Sequence, residues 1–420
     1  MNRDQILDTR LRLAADGGCD RRHASNLANA LWLGDQLAEA HSWARWATRG
    51  DPVHPLAWRC LGNVLLDLGR YGEADQAYRL ADPSGMDAAT QFNRSKVALG
   101  RGDLALAWDL AEFRLRRPQL PDGARPGPWW QGWPDAETLT IWSEQGLGDT
   151  LQFLRWLPLL LARGPRVTLL VQPPLQRLVA HGLSWLGPNL CVLSQDERPV
   201  GGCHGSLLSL PWRLGVPQPA WPMERGYLRL LQPGLNERLA AGVRPLRIGL
   251  VWGGGVQTDG HARERDYRRK SVLGEPLRVL VAGLQELPVA LVRLQFGPDR
   301  APPELQGVAW ASDPDPQGDL LDLAEQLQRL DLLITVDTAA AHLAGAMGLP
   351  AWLLLPWAAA SRWGRDSFTT PWYPSLRLWR QPRHGDWLGL WPAVLRELRM
   401  VATAAAVQTA ADNASGLPPG

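Results

Sequence analysis

The sequence predicts an α + α/β fold, in which N-terminal helical repeats precede two Rossmann-like α/β halves. Three observations support this prediction. Small and apolar residues recur 34 positions apart near the N-terminus, strand-like and helix-like segments alternate from residue 138 onward, and two strands end in turns that open helices. At 420 residues the chain is too long for one ordinary core, so several domains are expected.

Composition indicates a folded, soluble protein. Apolar residues make up 45% and charged residues 20% of the chain, and the net charge of +2 predicts no nucleic-acid partner. The four cysteines, Cys19, Cys60, Cys191 and Cys203, show neither metal-ligand spacing nor a disulfide framework, so we expect no metal site and a reducing, cytoplasmic location. The longest apolar runs fall far short of the roughly 20 residues that a membrane span needs.

Residues 1–117 are predicted to form a helical repeat domain. The recurring residues are small or apolar: Ala24, Leu27, Ala28, Leu31, Ala40, Ala44 and Ala47 return 34 residues later as Trp58, Leu61, Gly62, Leu65, Ala74, Tyr78 and Ala81. A third, looser copy begins near Phe92. This period and these residue types are typical of tetratricopeptide (TPR) repeats. Their groove could bind a peptide, although a packing or dimerising role is equally compatible with so few repeats.

Domain boundaries follow from composition and periodicity. Residues 118–137 form a Pro- and Gly-rich linker, 138–235 the first half, 236–402 the second half, and 403–420 a tail predicted to be disordered. Strand-like runs cover 139–142, 167–171, 190–193, 247–252, 289–295, 308–310, 332–336 and 351–355, with a further apolar segment at 207–210. Helices are expected from about Asp149, Pro174, Leu277, Asp319, Thr338 and Asp386. Two such halves would enclose a cleft at the carboxyl ends of their strands.

Residues 138–156 predict a strand, a glycine turn and a helix start. The turn contains Glu144, Gln145, Gly146 and Gly148, and Asp149 falls in the first helical turn. A helix N-terminus concentrates free N–H groups and positive dipole, so the junction could bind an anion or direct a carboxylate into a cleft. From these residues alone, Asp149 as a simple helix cap is an equally good interpretation.

Residues 329–346 predict a second junction of the same kind. A buried strand ends at Asp337, and a helix rich in small residues follows Thr338. The small side chain of Ala339 would let a ligand approach the backbone, and His342 shares a helix face with Thr338. This is a candidate seat for a diphosphate. A capping role for Asp337 and a core position for His342 are the structural alternatives.

Further candidates for binding an anionic donor lie between the two junctions. Gly253 begins a triple-glycine loop after a strand, Lys270 and Ser271 end a basic run, and Gln295 closes the strand-like run 289–295. A solvated basic turn is the alternative for residues 268–271. The chain contains neither a GxGxxG fingerprint nor a Walker A motif, which disfavours dehydrogenase and P-loop functions.

Five segments resemble a known family. They are SEQGLGDTLQFLRWLPLL (143–160), IGLVWGGG (248–255), RRKS (268–271), LDLLITVDTAAAHLAGAMGLPAWLLLPW (330–357) and PWYPSLRLWRQ (371–381). Together with the repeats, they resemble bacterial TPR proteins whose C-terminal domain is similar to glycosyltransferase family 9, the ADP-heptosyltransferase family. The resemblance covers nearly the whole chain. It implies a GT-B fold whose first half binds the acceptor and whose second half binds a nucleotide-sugar donor.

The resemblance also implies roles for individual residues. Asp149 corresponds to the general base of an inverting, metal-independent transfer that needs no cofactor beyond the nucleotide-diphosphate-sugar substrate. Lys270 corresponds to a lysine that binds the donor phosphate. The family motif D-T-G-x-x-H matches Asp337, Thr338, Ala339 and His342, with alanine in place of glycine at 339.

The sequence therefore supports two hypotheses. The leading one is a glycosyltransferase, and the acceptor could be a peptide, protein or glycan bound through the TPR groove. The rival is a TPR scaffold whose glycosyltransferase-like domain has lost activity, which the substitution at Ala339 keeps open.

Overall fold

The computed structural model describes residues 21–49, 54–116, 128–132, 137–197, 202–218, 226–230, 245–254, 261–297, 301–314 and 318–415. Several sequence predictions lie outside these ranges. They are residues 1–20 of the repeat domain, most of the linker 118–137, the boundary of the two halves near 235–244, Gly255, and the last five residues of the tail.

The N-terminal domain consists of antiparallel helical pairs. Its helices are α1 (Arg21–Leu33), α2 (Leu37–Thr48), α3 (Pro55–Asp67), α4 (Tyr71–Ala81), α5 (Ala88–Gly100) and α6 (Leu104–Ala111), followed by a 3-10 turn at Glu112–Arg116. Within each pair, the turn residue with a positive φ is Asp35 (62°), Gly69 (71°) or Gly102 (78°). These residues lie 34 and 33 positions apart (69 − 35 and 102 − 69). These spacings support the predicted repetition of helical units, whose assignment as TPR units stays a prediction.

Small residues let these helices approach closely. Ala28, Ala40 and Ala44 are fully buried. A Cβ placed on Gly62 would lie 2.6 Å from the ring of Tyr78, so the tyrosine packs directly on the backbone of α3.

The first half contains a four-stranded parallel sheet of order β3-β2-β1-β4. Its strands are β1 (Thr138–Trp142), β2 (Arg166–Val171), β3 (Leu190–Ser194) and β4 (Cys203–Ser206). The helices between and after them are α7 (Leu147–Phe153), α8 (Leu157–Leu161), α9 (Gln176–Gly182) and α10 (Leu210–Arg213). Because β1 pairs in parallel with both β2 and β4, its carboxyl end lies at the middle of the sheet edge, where α7 begins.

The second half contains a five-stranded parallel sheet of order β6-β5-β7-β8-β9. The strands are β5 (Leu246–Val251), β6 (Val289–Arg293), β7 (Leu332–Val336), β8 (Ala351–Leu355) and β9 (Leu376–Arg380). The helices are α11 (His261–Lys270), α12 (Glu275–Gln285), α13 (Leu320–Leu327), α14 (Ala339–Ala346) and α15 (Trp391–Ser415). Alternate residues of β7 and β8 join two different apolar clusters, so both faces of this sheet are covered.

One strand prediction is wrong, and the further apolar segment is not a strand either. Residues 308–310 form no strand, and Trp310 packs against Trp252. Backbone hydrogen bonds to the neighbouring strand begin only at the next two residues. The N–H of Ala311 donates to the carbonyl of Leu291, and the carbonyl of Ser312 accepts from the N–H of Arg293. The segment 207–210 is a 3-10 turn leading into α10, because Ser206 accepts a hydrogen bond from the N–H of Leu208. The strand there is β4, whose sequence CHGS lacks an apolar signature. Strand β9 was not predicted.

Other boundaries shift by a few residues. Helix α7 begins at Leu147 rather than Asp149, α12 at Glu275, and α15 at Trp391 after a 3-10 turn. Asp319 and Thr338 are the N-caps of α13 and α14, as expected. Residues 403–415, predicted as disordered tail, continue α15 as helix.

The helical repeats contact both α/β halves. On the first half, the guanidinium of Arg114 is 4% exposed and donates to Glu144, Ser206 and Ser209. On the second half, Arg269 of α11 pairs with Asp35 at 2.5 Å and with Asp67 at 3.0 Å. We call these two sets of contacts the Arg114 and Arg269 clasps.

Candidate functional site

The junction after β1 places Asp149 at the third position of helix α7. There the carboxylate accepts a hydrogen bond from the N–H of Gly146 at 3.1 Å, so Asp149 caps its own helix. The cap uses one carboxylate oxygen, Oδ2. The other oxygen, Oδ1, lies 2.5 Å from Nη2 of Arg362, which belongs to the second half. Asp149 is therefore both a helix cap and a residue that faces across the cleft.

Arg362 controls the charge state of Asp149. Burial raises the pKa of the Asp149 carboxyl, but the charge of Arg362 and its hydrogen bond outweigh this and lower the pKa below its usual value. The same guanidinium donates to Gln152 at 2.5 Å, which fixes its orientation. Asp149 is consequently a carboxylate at neutral pH, with its side chain 19% exposed.

The junction after β7 places Asp337 just before the N-cap of α14. Its carboxylate is 7% exposed and lies 3.4 Å from Nζ of Lys270 and 3.8 Å from Nε2 of His342. Burial raises the pKa of Asp337, but the Lys270 charge overcomes this, and the pKa falls to about 2. The N-cap residue Thr338 lines the cleft and makes no side-chain cap hydrogen bond; its hydroxyl lies 3.3 Å from the hydroxyl of Thr335.

His342 is a buried, neutral imidazole. Burial and the nearby positive charge of Arg362 lower its pKa to about 3. Its Nδ1 lies 2.9 Å from the hydroxyl of Tyr373, a contact that fixes the ring and leaves Nε2 directed toward Asp337. A Cβ on Gly148 would lie 2.6 Å from Cδ2 of His342. Glycine at 148 thus allows α7 of the first half to rest against α14 of the second.

These side chains surround one cavity of about 380 Å³, which we call the central cavity. Its wall from the first half consists of residues 146–149. Its wall from the second half includes the predicted residues Lys270, Asp337, Thr338, Ala339 and His342. The structure therefore brings Asp149 and most of the predicted donor-binding residues together across the cleft.

Three predicted donor-side residues lie elsewhere. Gln295 is buried, and its side-chain amide bonds to the backbone of Trp252, Gly253 and Phe296, so it holds the loop after β5 in place. Gly253 and Gln295 border an adjoining cavity of about 360 Å³ with mostly apolar walls, which we call the side cavity. Ser271 faces away from both; its buried hydroxyl makes no hydrogen bond to any described residue.

The predicted acceptor-side loop is held in place by contacts on the side away from the central cavity. The Glu144 carboxylate binds Arg114 and Ser206 and is 8% exposed, so it supports the loop instead of facing the central cavity. Gln145 adopts a φ of +63°, a conformation that is uncommon for residues other than glycine. Gly146 and Gly148 line the central cavity as expected.

Sequence reasoning missed Arg362 and Tyr373. Arg362 lies in the 3-10 turn Ser361–Trp363 that follows β8, at the same sheet edge as Asp337. Its position after a strand was the available signal. That signal was lost because 42 of the 44 basic residues in this chain are arginines.

Among the described residues, no group of three or more His, Cys, Asp or Glu side chains is arranged to hold a metal ion. Within the same ranges, every helix is too short or too polar to cross a lipid bilayer.

Comparison with known proteins gives distant similarities. No family model matches the chain. It is 25% identical to protein FlbA of Caulobacter vibrioides over an alignment of 438 residues, which covers 88% of this chain and 71% of FlbA.

Similar solved structures include three transferases. Escherichia coli heptosyltransferase WaaC with ADP is 15% identical (TM-score 0.40, 64% of this chain and 99% of WaaC). The iron-containing dodecameric glycosyltransferase TibC of enterotoxigenic E. coli is 17% identical (TM-score 0.39, 67% and 76%). The O-GlcNAc transferase of Thermobaculum terrenum is 13% identical (TM-score 0.26, 93% of each chain). At these scores none of the similarities assigns a function.

Proposed function

We propose that the protein is a glycosyltransferase that uses a nucleotide-diphosphate-sugar donor. The observation that carries the proposal is the central cavity itself. There, an ionised carboxylate at one helix N-terminus faces a second helix N-terminus that carries Thr338 and lies beside Lys270. Transfer of a sugar from a diphosphate leaving group needs a base on one wall and a binding position for the anion on the other.

The donor diphosphate would lie against the second half. The backbone N–H groups at the start of α14, the Thr338 hydroxyl and the Lys270 ammonium supply donors and positive charge there. Asp337 holds Lys270 and faces Nε2 of His342, so we assign it a positioning role. The apolar side cavity, which shares Thr338 and Ala339 with the central cavity, would take the nucleoside.

The reaction would proceed by direct, inverting displacement. Asp149 accepts the proton of an acceptor hydroxyl while that oxygen bonds to the anomeric carbon. The bond from this carbon to the diphosphate oxygen breaks, and the diphosphate leaves with the electron pair. Both carboxylate oxygens of Asp149 keep acceptor capacity, since each makes one of its roughly two possible hydrogen bonds.

Arg362 couples the two walls of the cavity. Its guanidinium pairs with Asp149 and also lines the central cavity. An anionic donor would share this positive charge, so the pKa of Asp149 would rise when the donor binds. Asp149 would then be a stronger base in the complex with the donor, in which the proton is transferred.

Calorimetric titration of the full-length protein with ADP, UDP, GDP and CDP tests the proposal. We expect saturable binding of at least one diphosphate, and weaker binding of the matching monophosphate and of inorganic phosphate. Incubation with the corresponding nucleotide sugars should then release that diphosphate as the sugar passes to water or to an added hydroxyl acceptor. If none of the four binds, the scaffold hypothesis replaces the transferase.

A further inference from the structure

A second cavity, of about 130 Å³, meets the central cavity at Asp149 and Arg362. It lies between the third helical pair and the first half, and we call it the repeat-side cavity. Helices α5 and α6 supply Phe92, Lys96 and Trp108 to its wall. Asp149 is therefore reached from two sides, one bordered by the second half and the other by the repeats.

The part of the repeat-side cavity wall around Trp108 is apolar and firmly packed. Trp108 packs edge-to-face on Phe153 at 5.5 Å and on Trp156 at 6.1 Å, and its indole N–H donates to the carbonyl of Pro217 at 2.8 Å. The polar groups of Arg114 are occupied by the Arg114 clasp. Ser95, Gln145 and Gln152 also line the cavity; the Ser95 hydroxyl donates to the carbonyl of Phe92, and the Gln152 amide oxygen accepts from Arg362. Most polar side chains of this wall therefore already bind other protein groups.

The two lysines of the chain lie in the walls of these two cavities. Lys96 and Lys270 are the only lysines beside 42 arginines, and each lines one of the two cavities that meet at Asp149. A lysine offers a compact ammonium on a flexible stem, where arginine offers a planar fork. The Lys96 side chain is exposed at the cavity edge; its Nζ donates to Asn93 at 3.2 Å and lies 5.0 Å from the centroid of Phe92.

We propose that the repeat-side cavity is the acceptor subsite and that the acceptor is a serine or threonine of a polypeptide with a carboxylate nearby. This inference rests on the proposed transferase function. The cavity is smaller than the roughly 300–1,000 Å³ of small-molecule sites, which suits one side chain. Its apolar wall suits the stem of that side chain, Asp149 takes the hydroxyl proton, and Lys96 binds the neighbouring carboxylate.

A peptide library tests both the location and the acceptor class. Full-length protein with its donor is offered dodecapeptides that contain a central serine or threonine and either acidic or basic flanking residues. A panel of mono- and disaccharides is offered in parallel, and products are detected by mass spectrometry. We expect transfer to peptides, with acidic flanks preferred.

Two variants locate the subsite. Ala111→Phe fills the repeat-side cavity and should lower peptide transfer about a hundredfold, because the hydroxyl is displaced from Asp149. Lys96→Ala should lower transfer about two- to fivefold and abolish the preference for acidic flanks, while Lys96→Arg restores the preference in part. Arg101→Ala, which removes an exposed positive charge just beyond α5, is the matched control and should behave as wild type.

Diphosphate affinity, measured on every variant, separates the possible failures. Transfer to saccharides but not to peptides overturns the acceptor class. Unchanged peptide transfer by Ala111→Phe, with diphosphate affinity also unchanged, overturns the location. If wild type binds no diphosphate at all, the proposed function fails first, and this inference fails with it.

Discussion

The two aspartate junctions of this protein share a local pattern and differ in their partners. Asp149 lies inside the first turn of α7, caps that helix and pairs with Arg362 of the opposite half. Asp337 lies before α14 and pairs with Lys270 of its own half. A shift of a few residues relative to the helix start therefore decides whether a carboxylate faces across the cleft or organises one wall. The comparison teaches that similar strand-turn-helix sequences can direct one carboxylate across the cleft and hold the other within its own half.

Replacing the two aspartates by asparagine should separate these roles most strongly. Asp149→Asn should lower transfer by about 10²- to 10⁴-fold, because it removes the proton acceptor, with little change in diphosphate affinity. Asp337→Asn should instead weaken diphosphate binding, since Lys270 loses the carboxylate that holds it. Steady-state kinetics and calorimetry on both variants provide the measurement, and identical phenotypes would refute the distinction.

Lys270 should contribute to donor binding alone. Lys270→Ala removes a charge-assisted contact worth about 1.5–3 kcal/mol, so diphosphate affinity should fall by about ten- to a hundredfold. Arg268→Ala is the matched control, because Arg268 lies on the same helix with its side chain 55% exposed and does not line the central cavity. Equal losses in the two variants would mean that general positive charge, and not this position, attracts the donor.

Gly148 tests the contact between the two junctions. In Gly148→Ala the new Cβ would meet the His342 ring at 2.6 Å, so α7 or the ring must shift, at a cost of about 1–3 kcal/mol in the free energy of unfolding. Gly72→Ala in α4 is the control. A Cβ there meets nothing within 4 Å, and alanine should stabilise the helix by about 0.5–1 kcal/mol. Chemical denaturation of both variants gives the comparison, and no loss of stability in Gly148→Ala would contradict the close packing.

Protonation of His342 should make the free energy of unfolding depend on pH below neutrality. Its folded-state pKa is about 3, below the unfolded value of 6.5, so the unfolded chain binds more protons between these values. The group's contribution to stability is therefore complete above pH 6.5 and falls as pH decreases toward 3, by up to about 1.4 kcal/mol per pH unit. The unfolding free energy of His342→Gln should depend less steeply on pH across this window. Parallel curves for wild type and variant would show that His342 is not buried as a neutral ring.

Sequence reasoning succeeded where a local pattern fixes a position at a sheet edge. The 34-residue spacing predicted the helical repeats, and the carboxyl ends of β1 and β7 predicted the convergence of Asp149 with Asp337. It failed where side-chain direction decides the outcome. Gln295 follows a strand at the correct edge, yet its amide turns inward to the backbone of Trp252 and Gly253. Ser271 adjoins Lys270 but points to the opposite side of the helix end.

Long-range charge pairs could not be predicted from the sequence either. Arg362 and Asp149 are 213 positions apart, and Arg114 and Glu144 belong to different domains. No local spacing signals such pairs, and the abundance of arginine hides them. Strand β9 was missed because its sequence LRLWR combines charged and apolar residues, although Trp379 and its neighbours pack in the sheet.

The two clasps give the helical repeats a mechanical role. One domain is attached to the first half through Arg114 and to the second half through Arg269, so it bridges the cleft from outside. Any widening of the cleft must break the buried contacts of one clasp or bend the stack of helices between them. The width of the cleft is therefore coupled to the stiffness of the helical array, and a ligand that stiffens the array would also resist opening of the cleft.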